Sequence, residues 1–226
     1  DDLESYYPGE TFESENFIKV PDVIWDNFVE RLLYGKTLEV TYPRDRPLDV
    51  ISIDNIEQEP DMLKMHPSVW CKIYRRDLIM DNNIRFQPFI SGDDMAFTLE
   101  TLLHAKGIVF LNNFLSYDYY IRDLPSDKSI TNTVNVRLLD ELMESYIYCR
   151  KCTEGYSKDV QNVSVNPHLL HWTYTWKNSP FTKEENKLLL SKVNKLKKIH
   201  HTDLKTKWLL SSMTTALETK ITLSKE

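Results

Sequence analysis

The densest chemistry in the chain is the run Gly92-Asp93-Asp94-Met95-Ala96-Phe97. Two adjacent carboxylates follow a glycine where a helix is expected to start. A carboxylate so placed can act as a general base, or bind a metal or hydroxyl groups. The N–H groups and dipole of the helix start should hold it ionised, ready to accept a proton. The plainer alternative is a double cap, because Asp is favoured in a first helical turn. Other candidates carry less. Cys149-Arg150-Lys151-Cys152 spells C-x-x-C inside a helical pattern and has no second pair, so it reads as two helical cysteines. His200 and His201, near Asp203, suit a polar turn between helices, and His168 and His171 suit packing or surface. Trp172 and Trp176, one helical turn apart, read as core aromatics before they read as a sugar platform.

The elements around the acid pair follow from periodicity. Val23, Ile24, Phe28, Leu32 and Leu33 predict a helix over 22–34, with Gly35 as its stop. Short strands are expected at 38–41 and 50–53, among Pro43, Pro47 and Pro60. Residues 69–74 alternate in polarity and 76–82 suit a helical turn or two. Ser91 or Asp93 should cap a helix running to about Ala105, with Leu99, Leu102 and Leu103 inward and Gly107 ending it. Residues 108–111 and 115–121 read as two strands joined by an Asn112-Asn113 turn. From Asn135 onward the pattern is helical: one helix around 138–147, a second over 159–176 broken by Pro167, then 183–199 and 203–223.

Composition narrows the function classes. The 226 residues suffice for a sizeable core, and 41% are hydrophobic. No apolar run approaches the roughly 20 residues of a membrane helix. Three cysteines are too few for a disulfide scaffold and suit a reducing compartment. Five scattered glycines leave neither a phosphate loop nor a dinucleotide fingerprint. The net charge is −6, yet the tail beyond residue 180 is rich in lysine and holds no arginine. That asymmetry suits a solvated helix face or contact with an anionic membrane, and it offers no bidentate phosphate readout. Nucleic acid is not expected as a partner.

Five short motifs stand in order between residues 66 and 132. They are Trp70-Cys71-Lys72-Ile73-Tyr74-Arg75-Arg76, then Asn83-Ile84-Arg85-Phe86, then Gly92-Asp93-Asp94-Met95-Ala96-Phe97. Ile108-Val109-Phe110-Leu111 and Tyr119-Tyr120-Ile121-Arg122 follow, with Ser129-Ile130-Thr131 downstream. The series resembles the second half of the catalytic domain of family 2 glycosyltransferases, which have the GT-A fold and include enzymes of bacterial surface-polysaccharide and teichoic-acid synthesis. The resemblance covers about 65 residues of the 226.

What the resemblance implies is an α/β fold: the acceptor-side half of a GT-A domain over 1–132, then an all-helical C-terminal region over 133–226. It implies inverting transfer of a hexose or N-acetylhexosamine from a nucleotide-sugar to a glycan or polyol-phosphate acceptor. Asp94 is then the general base, and Asp93 stands where the family has glutamate. Trp70 and Lys72 line the acceptor side, and Arg122 and Ser129 the diphosphate side. Tyr120 replaces a frequent basic residue, and 124–127 looks like an insertion. Arg75 and Arg76 are expected to serve structure. The family also uses a divalent cation, Mg or Mn, held by an Asp-x-Asp motif in a preceding nucleotide-binding region. This chain, opening at Asp1, contains no Asp-x-Asp, so the cation's ligands are not expected in it, and it reads as the C-terminal part of a longer enzyme. The rival expectation is a non-catalytic binding or scaffold module derived from such an enzyme. The expected location is cytoplasmic, at the inner face of the membrane if the Lys-rich tail makes peripheral contact there.

Overall fold

A computed structural model describes residues 21–32, 37–40, 50–64, 67–121, 134–199, 201 and 203–223. Five strands form one mixed sheet: β1 (Val23–Leu32), β2 (Thr37–Val40), β3 (Val50–Ile53), β4 (Lys72–Tyr74) and β5 (Ile108–Ile121). The order is β2-β1-β5-β3, and β4 also pairs with β1. β1 and β5 run parallel along their lengths, and every other pairing is antiparallel.

The first correction falls on β1, where a helix was expected over 22–34. Its apolar spacing fits a helical stripe, but Val23, Ile24, Trp25, Phe28 and Val29 are residue types that favour extended backbone. The chain resolves the ambiguity by pairing. β1 has β5 on one side, with β4 against Val23–Trp25 and β2 against Phe28–Arg31 on the other. Gly35, the expected stop, lies outside the described residues. The second correction is that β5 is a single strand. Asn112-Asn113 makes no turn, and the extra residues are absorbed as register shifts opposite Asp26 and Asn27.

Asp22 fixes the start of the sheet. Its buried carboxylate takes the Lys106 N–H at 2.6 Å and the Arg75 guanidinium at 2.7 Å. Its own N–H donates to Gly107 O at 2.8 Å, and its carbonyl accepts from Arg75 N at 2.9 Å. One residue thus joins β1, the end of β4 and the approach to β5. Arg75 takes the structural role expected of it.

The helices are α1 (Arg76–Asp81), α2 (Asp93–His104), α3 (Val136–Cys152), α4 (Lys158–Val163), α5 (Asn166–Lys177), α6 (Lys183–Lys197) and α7 (Leu204–Leu223). The break between α4 and α5 is where Pro167 predicted it, and the proline sits in the first turn of α5. Among the described residues beyond 133, all regular structure is helical. The buried side chains form one continuous core from Val23 to Leu217. Trp172 and Trp176 lie in that core, donating their indole N–H groups to Leu139 O and Asn186 Oδ1, both at 2.8 Å. The division expected at residues 132 and 133 lies outside the described residues. No helix among the described residues is long and apolar enough to cross a membrane.

Candidate functional site

Two faces of α2 meet two different parts of the chain. Asp94 and Thr98, one turn apart, face the segment that leads into β4. The Val69 backbone N–H lies on that side and favours the ionised Asp94 carboxylate. Thr98 Oγ1 donates to Pro67 O at 2.8 Å and lies 3.3 Å from the Tyr74 hydroxyl. β4 sorts its side chains by alternation. Lys72 is buried and Tyr74 partly buried, while Ile73 between them is exposed. Lys72 Nζ donates to Ser68 O and lies 3.3 Å from Cys71 Sγ.

The electrostatics of Asp94 differ from the sequence expectation. Helix-start N–H groups were expected to hold it ionised. Instead burial, and then the Asp93 charge beside it, raise its carboxyl above the usual carboxylate range. The Val69 N–H and the Lys72 ammonium pull it partly back. The result is a carboxylate of increased proton affinity with a cation close by. Burial also pushes the Tyr74 hydroxyl well up, against the Thr98 hydrogen bond, and the Cys71 and Asp94 charges add to it. Tyr74 therefore stays a neutral hydroxyl beside the acid.

Neither acid caps α2. The N-cap is Gly92, in left-handed backbone at φ 85°, so the cap expected of Ser91 or Asp93 is not made. Both acids do lie in the first turn of α2, where negative charge is favoured, so the structural reading of the pair stands beside the catalytic one. The turn before the acids is held by α3. Ser145 Oγ donates to Gly92 O at 2.6 Å, and the Glu141 carboxylate accepts the N–H of Ile90. The Tyr148 hydroxyl donates to Glu100 Oε2 at 2.7 Å and accepts from Gln87 Nε2 at 3.0 Å.

Of the expected site residues, Asp93 and Asp94 are adjacent at the start of α2, and the Lys72 charge acts on Asp94. Trp70 follows Val69 and packs part-buried against the core. Arg122 and Ser129 lie outside the described residues. Sequence reading missed Tyr74, Thr98, Glu141 and Ser145. The available signal was polar Ser145 within the apolar stripe of α3, and Glu141, Ser145 and Tyr148 at i, i+4 and i+7.

A small, mostly apolar recess lies beside Thr98, lined also by Leu63, Pro67, Met95 and His168, and neither acid lines it. Cys149 and Cys152 are free thiols on α3, and burial raises both above the ordinary range. Among the described residues, no group of three or more His, Cys, Asp or Glu side chains could hold a metal ion. Two adjacent carboxylates under the influence of a lysine charge do not by themselves make a divalent-cation site.

No protein-family model matches the chain, and no curated protein does. Solved structures do. S. aureus TarS 1–349 in complex with UDP-GlcNAc matches with a TM-score of 0.64 and 14% identity, over 89% of this chain and 58% of that one. TarS 1–349 without a named ligand gives 0.60 at 13% identity, covering 89% and 57%. Its complex with UDP gives 0.52 at 13%, covering 88% and 58%. The fold is glycosyltransferase-like. The chain spans less than two thirds of the length of these structures.

Proposed function

We propose that this chain is the acceptor-side part of an inverting family 2 glycosyltransferase of the GT-A fold. It would transfer a hexose or N-acetylhexosamine from a nucleotide-sugar to a glycan or polyol-phosphate acceptor in surface-polysaccharide synthesis, with Asp94 as general base. The observation that carries the reading is the use of Asp94. It lies half-buried in the first turn of α2, within reach of the Lys72 charge, and has a raised proton affinity. The likeness to a fold crystallised with UDP-GlcNAc supports a nucleotide-sugar as donor.

In this reading the acceptor hydroxyl donates a hydrogen bond to Asp94. Its oxygen forms a bond to the anomeric carbon as the bond from that carbon to the diphosphate breaks. The electron pair leaves on the nucleoside diphosphate, and the hydroxyl proton goes to Asp94. Lys72 keeps Asp94 ionised before the step. Asp93 hydrogen-bonds an acceptor or sugar hydroxyl, and the Trp70 indole offers an apolar face to a ring. Arg122 and Ser129 are proposed for the diphosphate side.

The test is Asp94→Asn in the full-length encoded protein. Turnover should fall about 10²–10⁴-fold, the usual worth of a positioned base, with nucleotide-sugar affinity unchanged. Turnover near wild type would remove Asp94 from the role and favour the scaffold reading.

Membrane contact through the C-terminal lysines belongs to the same proposal. Lys192 and Lys195 are engaged with Asp140 and Glu144 of α3. Lys205 and Lys207 lie between Leu204 and Trp208, which are 82% and 70% exposed. Apolar tips among cations suit an anionic lipid surface. Co-sedimentation with vesicles should rise with anionic lipid and fall with salt, and indifference to both would remove the contact.

A further inference from the structure

We propose that Ser145 and Glu141 of α3 are positioning residues for the acid pair, so that the C-terminal helical region forms part of the site. The inference rests on the reading of Asp94 as base and adds what aims it.

The turn at residues 90–92 sets the direction in which α2 leaves, and so where Asp93 and Asp94 point. Local sequence does not fix that turn, since its last residue is a glycine at φ 85° with no side chain of its own. α3 supplies the missing constraint. Its residues 141, 145 and 148 line one stripe and each meets the 87–100 segment. Glu141 takes the N–H of Ile90, and Arg137 Nε holds that carboxylate at 2.9 Å. Ser145 is fully buried and gives its proton to Gly92 O. The same carbonyl accepts Ala96 N–H at 3.0 Å, the first bond of α2. Ser145 therefore bonds to the atom that starts the helix carrying the acids. The approach is close enough to demand glycine, because a Cβ at 92 would lie 2.7 Å from Ser145 Cβ. Tyr148 anchors the far side through Gln87 and Glu100.

A hydroxyl chosen only for packing would tolerate loss of its proton donor with no change at Asp94. A positioning hydroxyl would not, since a misplacement of about 1 Å can cost on the order of 100-fold in rate. The experiment compares Ser145→Ala, Glu141→Ala and Glu141→Gln in the full-length protein, with Ser211→Ala on the exposed face of α7 as control. Two readouts are taken. One is the split of kcat against KM. The other is the titration of the Asp94 carboxyl by ¹³C NMR, assigned with Asp94→Asn.

Ser145→Ala should lower kcat about tenfold or more with KM within about twofold, and should move the Asp94 midpoint. Glu141→Gln keeps one acceptor oxygen and should retain more kcat than Glu141→Ala. Ser211→Ala should change neither readout. If Ser145→Ala fails to fold, the two Glu141 variants decide by the same readouts. Folded variants with wild-type kcat and an unmoved Asp94 midpoint would overturn the proposal. Should Asp94→Asn itself keep its turnover, the base assignment falls, and the NMR arm still decides whether α3 aims the acid pair.

Discussion

Helices α2 and α6 both begin with an adjacent acid pair and use it in opposite ways. At α6, Thr182 Oγ1 accepts the Glu185 N–H at 3.3 Å, and the Glu185 carboxylate reaches back to Thr182 N at 2.8 Å. Glu184 stays exposed and pairs with Lys187 at 2.6 Å. That is a closed capping box, complete within one turn of sequence. At α2 a glycine stands where threonine stands in α6, and Asp94 turns toward Val69 and Lys72. The start of α6 is self-sufficient. The start of α2 borrows its order from α3 and spends its acids elsewhere. Locally unsatisfied charge held by distant parts of the fold is what a site needs and a cap does not.

The sharpest way to break this contrast is at the glycines. Gly92 and Gly155 both have positive φ, at 85° and 94°. Alanine at either should cost about 1–2 kcal/mol from backbone conformation alone. At 155 nothing lies within 4 Å of the added Cβ, so the loss should stop there. At 92 the Cβ would meet Ser145 Cβ at 2.7 Å, and a Cβ cannot swing away as a long side chain can. Overpacking should add about 1–3 kcal/mol. Thermal denaturation should therefore rank Gly92→Ala well below Gly155→Ala. Equal losses would mean that the α2–α3 contact yields easily, and the turn would not be held as described.

Much of this was legible in the chain, and the exceptions have a pattern. Helices α2 to α7 followed from apolar spacing, because their stability comes from stripes that a short window contains. Thr182 with Glu185, Asn135 and Ser157 each act within three residues of themselves. β1 was misread because a strand's identity lies in its neighbours. Val23, Ile24 and Phe28 fit either period, and β4, β2 and β5, which decide the matter, are remote in sequence. The site divides the same way. The Asp93-Asp94 pair, Trp70 and Lys72 stand out as motifs. The Val69 N–H that favours the ionised Asp94 belongs to the backbone, and Ser145 acts across 53 residues on Gly92. A motif names the chemical groups, while the residues that aim them are dispersed over an unrelated helix.

The smaller effects separate the two helix starts by pH. Asp94 has a folded midpoint above its unfolded one, so between the two the native chain binds more protons than the unfolded chain. Stability then falls as pH rises through that window and stays lower above it. Asp94→Asn removes this cost. It should melt above wild type at about pH 7–8, with the gain shrinking as pH drops toward the unfolded Asp value of about 3.9. Loss of the Asp94 charge beside Lys72 works against the gain, but burial and the Asp93 charge are the larger contributions, and they set the sign. Thr182→Ala removes a neutral hydroxyl from a cap and should cost about 1 kcal/mol, by the same amount from about pH 5 to about pH 8. Melting curves for both variants across that range test the distinction. A pH-independent loss of stability in Asp94→Asn would mean that Asp94 serves its helix as Thr182 serves α6. The two acid pairs would then be alike after all.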